Sequence, residues 1–289
     1  MDIDNIKEKI NLRLIKEEDV PEVVKNAISS FGFADIAYKE KHYRNHIKVF
    51  PEGQVCVEYN GKIIGSSSSL IINYADFGHN HTFEDISTDG FIFKHTYEGQ
   101  NLYGIDVVVH PEYRNLKIGR LLYGERQRLC KAFNLESIII GGRLPNYHKY
   151  ANKYSAKEYV SLVEQGELFD PVLVFQLKNG FEVKDVKSEY LEDDKDSLEY
   201  ASIMEWKNPG YKAWLPIKEA VLKHSISTLE NFKKDCQLRM QWNRTKVDYL
   251  TTCFKFTLLN YLIKEGFLLL ESLLLIHKEL FNIEEFLIA

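Results

Sequence analysis

Cysteine, proline and long apolar runs are all scarce in this sequence of 289 residues, which has 4 cysteines and 7 prolines. Cys56, Cys130, Cys236 and Cys253 lie far apart, so the sequence has neither a disulfide framework nor the close Cys and His spacing of a zinc site. The most apolar stretch, residues 252–276, is interrupted by lysines and glutamates, whereas a membrane span needs about 20 uninterrupted apolar residues. We therefore expect reduced, packed thiols and no membrane span.

An excess of positive charge is also missing from this chain. The 37 Lys and Arg residues face 42 Asp and Glu, so the net charge of -5 gives no broad positive field for nucleic acid. The acidic amino-terminal stretch lacks the basic start and the apolar run of about 7 to 15 residues that mark a secretory signal. With 45% hydrophobic residues, the composition predicts a globular, cytoplasmic protein that binds no nucleic acid.

Two parts of different composition meet at the turn-forming residues Asn208, Pro209 and Gly210. Strand and helix patterns alternate over residues 1–208, whereas residues 209–289 have helical periodicity alone. The helices predicted in this carboxyl-terminal extension cover roughly residues 216–238, 245–264 and 267–281. Their apolar side chains must pack on the first domain, on each other or on another subunit, and a homodimer through these helices is one such arrangement.

Local signals place the main strands and helices of the first domain. Asn60-Gly61 is typical of a two-residue hairpin turn and joins the predicted strands Gln54–Tyr59 and Lys62–Ile72. A buried strand over residues 102–109 ends at a His-Pro pair, because proline cannot continue a strand ladder. The other predicted strands cover residues 11–15, 137–142, 181–186 and 199–206, and helices begin near residue 17 and cover Pro171–Lys178.

A longer helix is predicted to begin at Ile118. Apolar residues recur from there at helical spacing and form one stripe, at positions Ile118, Leu121, Leu122, Leu129 and Phe133. The charged side chains that fall outside this stripe are Arg120, Glu125, Arg126 and Arg128. We expect these four side chains to lie on the exposed side of the helix.

The segment between the buried strand and this helix has the features of an anion site. The first turn of a helix carries free N–H groups and the positive end of the helix dipole. Gly119 lets a backbone approach closely, while Arg114, Lys117 and Arg120 bring positive charge to a chain that is acidic overall. A pyrophosphate group fits this arrangement.

The same segment resembles the pyrophosphate loop of the GNAT superfamily of acyl-CoA-dependent N-acyltransferases, which reads Gln/Arg-x-x-Gly-x-Gly/Ala after a strand. Arg114-x-x-Lys117-x-Gly119 matches this pattern, with the lead-in H-P-E-Y-R and the helix start G-R-L-L. Lys117 departs from it, because it stands where the first glycine usually lies. The pair Gly180-Phe181 resembles the start of the sixth strand of that fold.

A narrower resemblance covers about residues 10–207. Four runs are similar to the GNAT domain found fused ahead of carbon-nitrogen hydrolase (nitrilase-type) domains, at residues 50–54, 101–105, 141–148 and 170–181. About 80 residues follow Pro209 and have a helical pattern, which leaves no room for the hydrolase sandwich. The resemblance therefore implies the acyltransferase domain without the hydrolase, and no nitrilase activity is expected.

The resemblance implies an α+β fold, with a mixed, mostly antiparallel central sheet and flanking helices, followed by the helical extension. It implies direct transfer of an acetyl group from acetyl-CoA to a primary amine, either of a small molecule or of a lysine or amino terminus of a protein. No metal is expected. The alternative is an acyl-CoA-binding sensor or regulatory module that performs no transfer and uses its helices for interaction.

Coenzyme-binding residues also follow from the resemblance. The backbone of the strand at Val107, Val108 and Val109 is expected to pair with pantetheine, and the thioester is expected where this strand separates from residues 137–142. Asn146, which follows that second strand, is assigned to the coenzyme as well. The expected pyrophosphate loop consists of Arg114, Asn115, Leu116, Lys117, Ile118, Gly119 and Arg120.

Asp106 is the favoured general base, because it is a carboxylate on an otherwise apolar strand beside the expected thioester. The equally weighted alternative is that Asp106 caps backbone groups or pairs with an arginine such as Arg143. Tyr103 on the same strand is a second candidate, able to relay a proton or simply to pack. Arg143 itself could reach a phosphate or pair with Asp106 or Glu112.

The group that protonates the departing thiolate is left open by the sequence. Many GNAT enzymes use a tyrosine four residues before the glycine of the Gly-Phe pair, and here that position holds Gln176, whose amide cannot supply a proton. Tyr150, in the segment 144–169, is the candidate substitute. The polar segment 73–100 contains His79-x-His81, but no third ligand has metal-site spacing, so a solvated loop is expected there.

Overall fold

In the computed structural model, a seven-stranded sheet forms the centre of the residues that the structure describes, which are 9–31 and 37–217. Its strands, in the order β1-β2-β3-β4-β5-β7-β6, pair antiparallel except for the parallel pair β4 and β5. The strands are β1 Ile10–Leu14, β2 Gln54–Tyr59, β3 Lys62–Ile72, β4 Asn101–Val109, β5 Ser137–Arg143, β6 Glu182–Lys187 and β7 Ala201–Lys207. This is the mixed, mostly antiparallel sheet that the family resemblance implies; residues 218–289, which contain nearly all of the predicted helical extension, lie outside the described residues.

Six helices accompany the sheet in the described part of the chain: α1 Val20–Phe31, α2 Glu40–Val49, α3 Phe83–Ser87, α4 Ile118–Ala132, α5 Ala156–Glu164 and α6 Pro171–Lys178. The sequence predicted α1, α4 and α6 but not α2, α3 or α5. Helix α2 was not predicted because its sequence is mostly polar, and Tyr43 and His46 are its only buried residues. Too few apolar residues recur there for periodicity to reveal a helix.

The predicted hairpin is confirmed at both strands and at its turn. Strands β2 and β3 occupy the predicted residues, and Asn60 and Gly61 have φ values of 51° and 76°. Positive φ at both turn residues is the geometry that a two-residue hairpin turn needs, and asparagine and glycine adopt it most easily. This hairpin brings β3 beside β4, the strand that carries the candidate site.

Side chains cover both faces of the sheet, because neighbouring residues of a strand point to opposite sides. One face packs against α1 and α2 through a cluster made of Ile15, Val20, Val23, Tyr43, Cys56 and Ile63. The other packs against α4 through Val55, Val57, Ile64, Ile118 and Leu122. Strand β4 lies at the centre of the sheet and is therefore held from both sides.

The two described cysteines agree with the expectation of packed thiols. Cys56 and Cys130 are free and buried, and burial raises the pKa of each thiol to about 12. Both therefore stay protonated and unreactive near neutral pH. None of the described helices has the length and apolar character needed to cross a membrane.

His95 makes stability depend on pH in a defined window. Its ring stacks on Phe50, its Nδ1 accepts a hydrogen bond of 3.0 Å from the Ile71 N–H, and burial lowers its pKa to about 4. Below a pH of about 6.5 the unfolded chain protonates this histidine while the folded chain does not, so its contribution is lost as the pH falls toward 4.

We expect His95→Asn to remove this acid sensitivity, because the asparagine amide can accept the same hydrogen bond without titrating. Between pH 6.5 and pH 4 the wild type should lose on the order of 2 kcal/mol more unfolding free energy than the variant. Urea unfolding at the two pH values measures the difference. Equal losses in the two proteins would show that His95 is not the titrating group.

Candidate functional site

Strands β4 and β5 separate in the middle of the sheet. Their pairing runs from Asn101 and Ser137 to Gly104 and Ile140, and β4 then continues to Val109 without a β5 partner. On its other side, β4 has a bulge in which Ser69 faces Gly104 and Ser68 faces Asp106, which leaves Ile105 as the extra residue. The separation that the family resemblance implies is thus present, and the bulge lies beside it.

The β5 side of β4 is open along Val107, Val108 and Val109. Among the described strands, their backbones pair with β3 alone, on the other side. Val108 is fully buried and packs with Ala27 and Ala37, while its two neighbours pack toward α4. A strand fixed by its side chains and unpaired along one edge can bind an extended ligand through its backbone groups.

The amino terminus of α4 lies beside this open edge and presents free donors. Lys117, the residue before the helix, makes no side-chain capping bond. Within the described residues, the N–H groups of Ile118, Gly119 and Arg120 have no hydrogen-bond acceptor. These groups, together with the helix dipole, attract an anion.

Lys117 has φ 63° and ψ 17°, a left-handed conformation that favours glycine. This conformation explains why the family pattern has glycine at this position, and it means that lysine occupies the position at some strain. Asn115 also has a positive φ, of 71°. Arg114 donates hydrogen bonds to the carbonyl and hydroxyl of Ser30, so this side chain also ties the loop to α1.

We expect Lys117→Gly to raise the unfolding free energy by about 0.5 to 1 kcal/mol, because relief of the left-handed strain exceeds the entropy that glycine adds to the unfolded chain. Lys117→Ala is the matched control, since it removes the same charge but keeps the Cβ atom. Thermal and urea unfolding of both variants provide the measurement. If the glycine variant is no more stable than the alanine variant, the backbone at Lys117 is not strained.

Gly119 has a packing role that the sequence did not reveal. A Cβ atom built on it would lie 3.0 Å from Cζ of Phe175 on α6. The missing side chain therefore allows α4 and α6 to pack closely as well as leaving the backbone accessible to an anion. A bulky residue at this position should disturb the contact between the two helices along with any anion site.

The carboxylate of Asp106 is held by two donors. Its Oδ1 accepts from the Ser68 N–H at 2.9 Å and its Oδ2 accepts from the Tyr43 hydroxyl at 3.0 Å. Burial and, after it, the negative charge of Asp106 raise the pKa of Tyr43 well above its usual value. These bonds fix the carboxylate on the α2 side of β4, close to the point where β4 and β5 separate.

The suggested pairing of Arg143 with Asp106 or Glu112 is wrong. Arg143 instead makes two hydrogen bonds to Asp194, at 2.7 and 2.6 Å, and lies 3.6 Å from Asp196. Both acidic residues belong to the connection between β6 and β7. The planar guanidinium of Arg143 and the planar carboxylate of Asp194 fit together through two hydrogen bonds. Arg143 therefore anchors this connection to the end of β5.

Arg126 is buried, which corrects the expectation that it faces solvent; only 3% of it is exposed. Its guanidinium donates to the Ser69 hydroxyl at 3.1 Å, to the Ser68 carbonyl at 2.8 Å and to the Asp106 carbonyl. A Cβ atom on Gly104 would lie 2.7 Å from Nη1, so this glycine makes room for the guanidinium. Burial lowers the pKa of Arg126, and its bonds join both strands of the bulge.

Tyr103 is fully buried, and its hydroxyl oxygen lies 2.6 Å from that of Tyr190, in the connection between β6 and β7. Tyr190 was missed by sequence reasoning, as was Tyr43, because both come from distant segments without a motif. Tyr103 and Asp106 lie three residues apart on β4, and the fold brings Tyr190 to the first and Tyr43 to the second.

Tyr150 and Asn146 lie apart from that region. Tyr150 stacks on Tyr159 with ring centroids 5.5 Å apart and, within the described residues, contacts neither Asp106 nor Tyr103. The Asn146 amide donates to the Phe169 carbonyl and accepts from Lys149. The assignments of Tyr150 to catalysis and of Asn146 to the coenzyme therefore stay predictions.

Gln176 lies on α6 against the end of β5. A Cβ atom on Gly142 would lie 2.3 Å from its Oε1, which is buried without a hydrogen-bond partner in the described residues. Its amide also reaches the hydroxyl of Tyr123, whose pKa is raised by burial. The amide thus occupies the place where the family pattern has an acidic tyrosine.

An open pocket of about 580 Å³ lies in the polar segment before β4. It is lined by residues 77–81, Asp85 and Lys94. The His81 Nδ1 lies 3.0 and 2.7 Å from the carbonyls of Phe77 and Gly78, so this nitrogen carries the proton in the neutral ring. In the part of the chain that the structure describes, no three His, Cys, Asp or Glu side chains gather as a metal ion would require.

Comparison with known proteins places these features in a family. Residues 21–151 match the family described as "Acetyltransferase (GNAT) family". The chain is 42% identical over 178 residues to the Bacillus subtilis (strain 168) protein "Uncharacterized N-acetyltransferase YkwB", covering 62% of this chain and 78% of that protein. It is 41% identical over 243 residues to "Probable hydrolase YhcX" of the same organism, covering 81% of this chain but 47% of that protein. The chain thus spans about half the length of the latter relative.

The fold is shared with solved structures, and two of them illustrate the likeness. The loading GNATL domain of CurA from Lyngbya majuscula has a TM-score of 0.62 and 22% identity, covering 69% of this chain and 98% of that one. The GphF GNAT-like decarboxylase in complex with isobutyryl-CoA has a TM-score of 0.60 and 19% identity, covering 68% and 99%. At these identities the likeness shows a shared fold and nothing more. The shared fold is the GNAT fold that the sequence resemblance implies.

Proposed function

Because this chain belongs to the GNAT acetyltransferase family, we propose that it is an acyl-CoA-dependent N-acyltransferase that moves an acetyl group from acetyl-CoA to a primary amine. The observation that carries the proposal is the separation of β4 from β5 after Gly104, beside the free amino end of α4. An open strand edge and an anion site lie together there. Extended pantetheine and its diphosphate need these two features side by side.

The proposed coenzyme site has two parts. The backbone of Val107, Val108 and Val109 pairs with pantetheine, and the N–H groups of Ile118, Gly119 and Arg120 bind the diphosphate. The exposed side chains of Lys117 and Arg120 add positive charge at that end of the helix. The remaining loop residues, Arg114, Asn115 and Leu116, shape this loop, and Asn146 is assigned to the far side of the coenzyme.

In the proposed reaction the amine attacks the thioester carbonyl directly, and the protein mainly positions the two reactants. Asp106 accepts the proton that the amine nitrogen loses, because its carboxylate lies on β4 beside the strand separation. The sulfur leaves as a thiolate and takes up a proton. The acceptor is a small amine or the lysine or amino-terminal amine of a protein.

Two departures from the family pattern favour a second candidate, a sensor that binds acyl-CoA without transfer. Lys117 stands in place of the first loop glycine, and Gln176 in place of the acidic tyrosine. Release of free thiol from acetyl-CoA, measured over a panel of amines, separates the two functions. We expect amine-dependent thiol release; coenzyme binding without release for any amine would favour the sensor.

The wider organisation of the chain is also a proposal. We place the boundary between the GNAT domain, residues 1–208, and a helical extension, residues 209–289, and assign the domain to the type fused ahead of carbon-nitrogen hydrolases. The likeness to the protein described as a probable hydrolase supports this type. The matched region covers 81% of the chain. The residues before the proposed boundary make up 72% of the chain (208 of 289), so the match must continue into the extension.

We further propose a cytoplasmic enzyme that forms a homodimer through the helices of the extension. Acetyl-CoA as co-substrate suits the cytoplasm, as do the two described cysteines, which are free and buried. Light scattering of the whole chain, and of the chain without residues 211–289, tests the dimer. A dimer that persists after the deletion would contradict this role of the extension.

A further inference from the structure

Two tyrosine hydroxyls meet beside the gap between β4 and β5. Tyr103 immediately precedes Gly104, the last β4 residue paired with β5, and its oxygen lies 2.6 Å from that of Tyr190. On β5, a Cβ atom on Gly141 would lie 3.3 Å from the Tyr103 oxygen and 2.4 Å from Cε1 of Tyr190. Gly141 is the first β5 residue beyond the paired part, so the tyrosine pair packs against β5 where the gap begins.

This pair holds one hydroxyl proton that has no acceptor. Each tyrosine has one O–H, and when one donates to the other, the proton of the second is left over. The Tyr103 hydroxyl also has a hydrogen bond with the Gly141 backbone, which favours a lower pKa and therefore has the Gly141 N–H as its donor. Whichever tyrosine donates to the other, the hydrogen bonds of the described residues include no further acceptor for either hydroxyl. Both side chains are almost fully buried, with 0% and 1% exposed. A buried donor without a partner is unfavourable until a ligand supplies the acceptor.

The position of Tyr190 is fixed by its own backbone. Its N–H donates to the Glu199 carbonyl at 2.9 Å, and its carbonyl accepts from the Phe83 N–H at 3.0 Å. Burial raises the pKa of Tyr103 and of Tyr190 above the usual value, so both hydroxyls keep their protons at neutral pH. The pair is therefore a rigid hydrogen-bond donor rather than a base.

We propose that the spare hydroxyl of the Tyr103 and Tyr190 pair donates a hydrogen bond to the carbonyl oxygen of the bound thioester as negative charge develops on it. This inference rests on the proposed acyl transfer. Donors already fixed in place stabilise such charge strongly, because they need no reorganisation during the reaction. The pair then contributes to the rate while taking no part in proton transfer.

The electron movements balance without a further reactant. The amine nitrogen forms a bond to the carbonyl carbon, and the π electrons of the carbonyl move to the oxygen that the pair stabilises. The carbonyl then re-forms, the carbon–sulfur bond breaks and its electrons leave with the sulfur. The amine proton passes to Asp106 and from there to water, and the thiolate takes one proton from water.

The pair also explains the two consecutive glycines of β5. Neighbouring residues of a strand face opposite sides, so Gly141 accommodates Tyr190 on one face and Gly142 accommodates Gln176 on the other. A side chain at either position would collide with its neighbour. The gap is thus bordered by phenol hydroxyls on one face and by an amide on the other.

The test compares tyrosine-to-phenylalanine variants in acetyl transfer and in CoA binding. We expect Y103F/Y190F to lower kcat by about 100-fold to 1,000-fold, the effect of losing one fixed oxyanion donor, with the Kd for CoA within about threefold of wild type. Y190F should lower kcat less, because Tyr103 keeps its own O–H. Y74F is the matched control, since Tyr74 stacks on Tyr103 and its buried hydroxyl has no partner in the described residues.

Y74F should keep kcat within about twofold of wild type. The inference is overturned if Y103F/Y190F folds and keeps wild-type kcat, or if Y74F lowers kcat as much as the double variant does. Neither result would contradict the proposed acyl transfer. If the double variant does not fold, Y190F decides: an unchanged kcat overturns the inference, and a fall of about tenfold with unchanged Kd supports it. A wild-type enzyme that releases no thiol with any amine overturns the proposed function and this inference together.

Discussion

Replacement of Asp106 by asparagine should lower kcat for acetyl transfer by about 100-fold to 10,000-fold, the range for loss of a positioned general base. Asparagine keeps the shape of the side chain, so its oxygen can still accept from the Ser68 N–H. Tyr43 can turn its hydroxyl to accept from the new amide. The fold and the Kd for CoA should therefore stay close to those of the wild type.

Steady-state kinetics at saturating acetyl-CoA, with calorimetry of CoA binding, measure this effect. Asp76→Asn is the matched control, because Asp76 is exposed and, within the described residues, its carboxylate accepts a hydrogen bond from Asn73 alone. The control should keep wild-type kcat. Full activity in the Asp106 variant would assign the base to another group and leave Asp106 as a residue that holds Tyr43 and the bulge.

The largest effect on stability is expected at Arg126. Arg126→Met should lower the unfolding free energy by about 2 to 4 kcal/mol, because two carbonyls and a hydroxyl lose their buried donor at about 1 to 3 kcal/mol each. Removing a buried charge offsets part of this loss, since burial lowers the pKa of the guanidinium. The midpoint of thermal unfolding should fall by about 5 to 15 °C.

Arg128→Met provides the comparison on the same helix. Arg128 is exposed and pairs with Glu125 at 2.6 Å, so its loss should change stability by less than about 0.5 kcal/mol. At a temperature where both variants are folded, the Arg126 variant should also lose at least about tenfold in kcat, because its guanidinium fixes the bulge that carries Asp106. Equal stability and activity in the two variants would mean that the buried guanidinium does not hold the bulge.

Elements whose signals lie within a few residues could be read from the sequence. The Asn60-Gly61 turn specifies its hairpin, and α6 begins where predicted because Asp170 accepts from the N–H groups of Val172 and Leu173. The motif at residues 114–120 located the free amino end of α4 because the relevant groups are consecutive in the chain. Local chemistry is sufficient in these cases.

Features made by distant residues could not be read in this way. The hydroxyl pair joins residues 87 positions apart, and Arg143 meets Asp194 across 51 positions. Arg126 follows the buried Leu122 by four residues and therefore lies on the same face of the helix. Its charge nevertheless led to the prediction that it is exposed. Only the space above Gly104, provided by a strand elsewhere in the chain, makes its burial feasible.

The central claim is that acyl-CoA places its diphosphate at the amino end of α4 and its thioester between β4 and β5. A crystal structure of the protein with acetyl-CoA tests this most directly. It should have diphosphate oxygens within hydrogen-bond distance of the Ile118, Gly119 and Arg120 N–H groups, and the thioester between Gly104 and Gly141. A coenzyme bound elsewhere on the chain, or crystals that take up none at saturating concentration, would contradict the account.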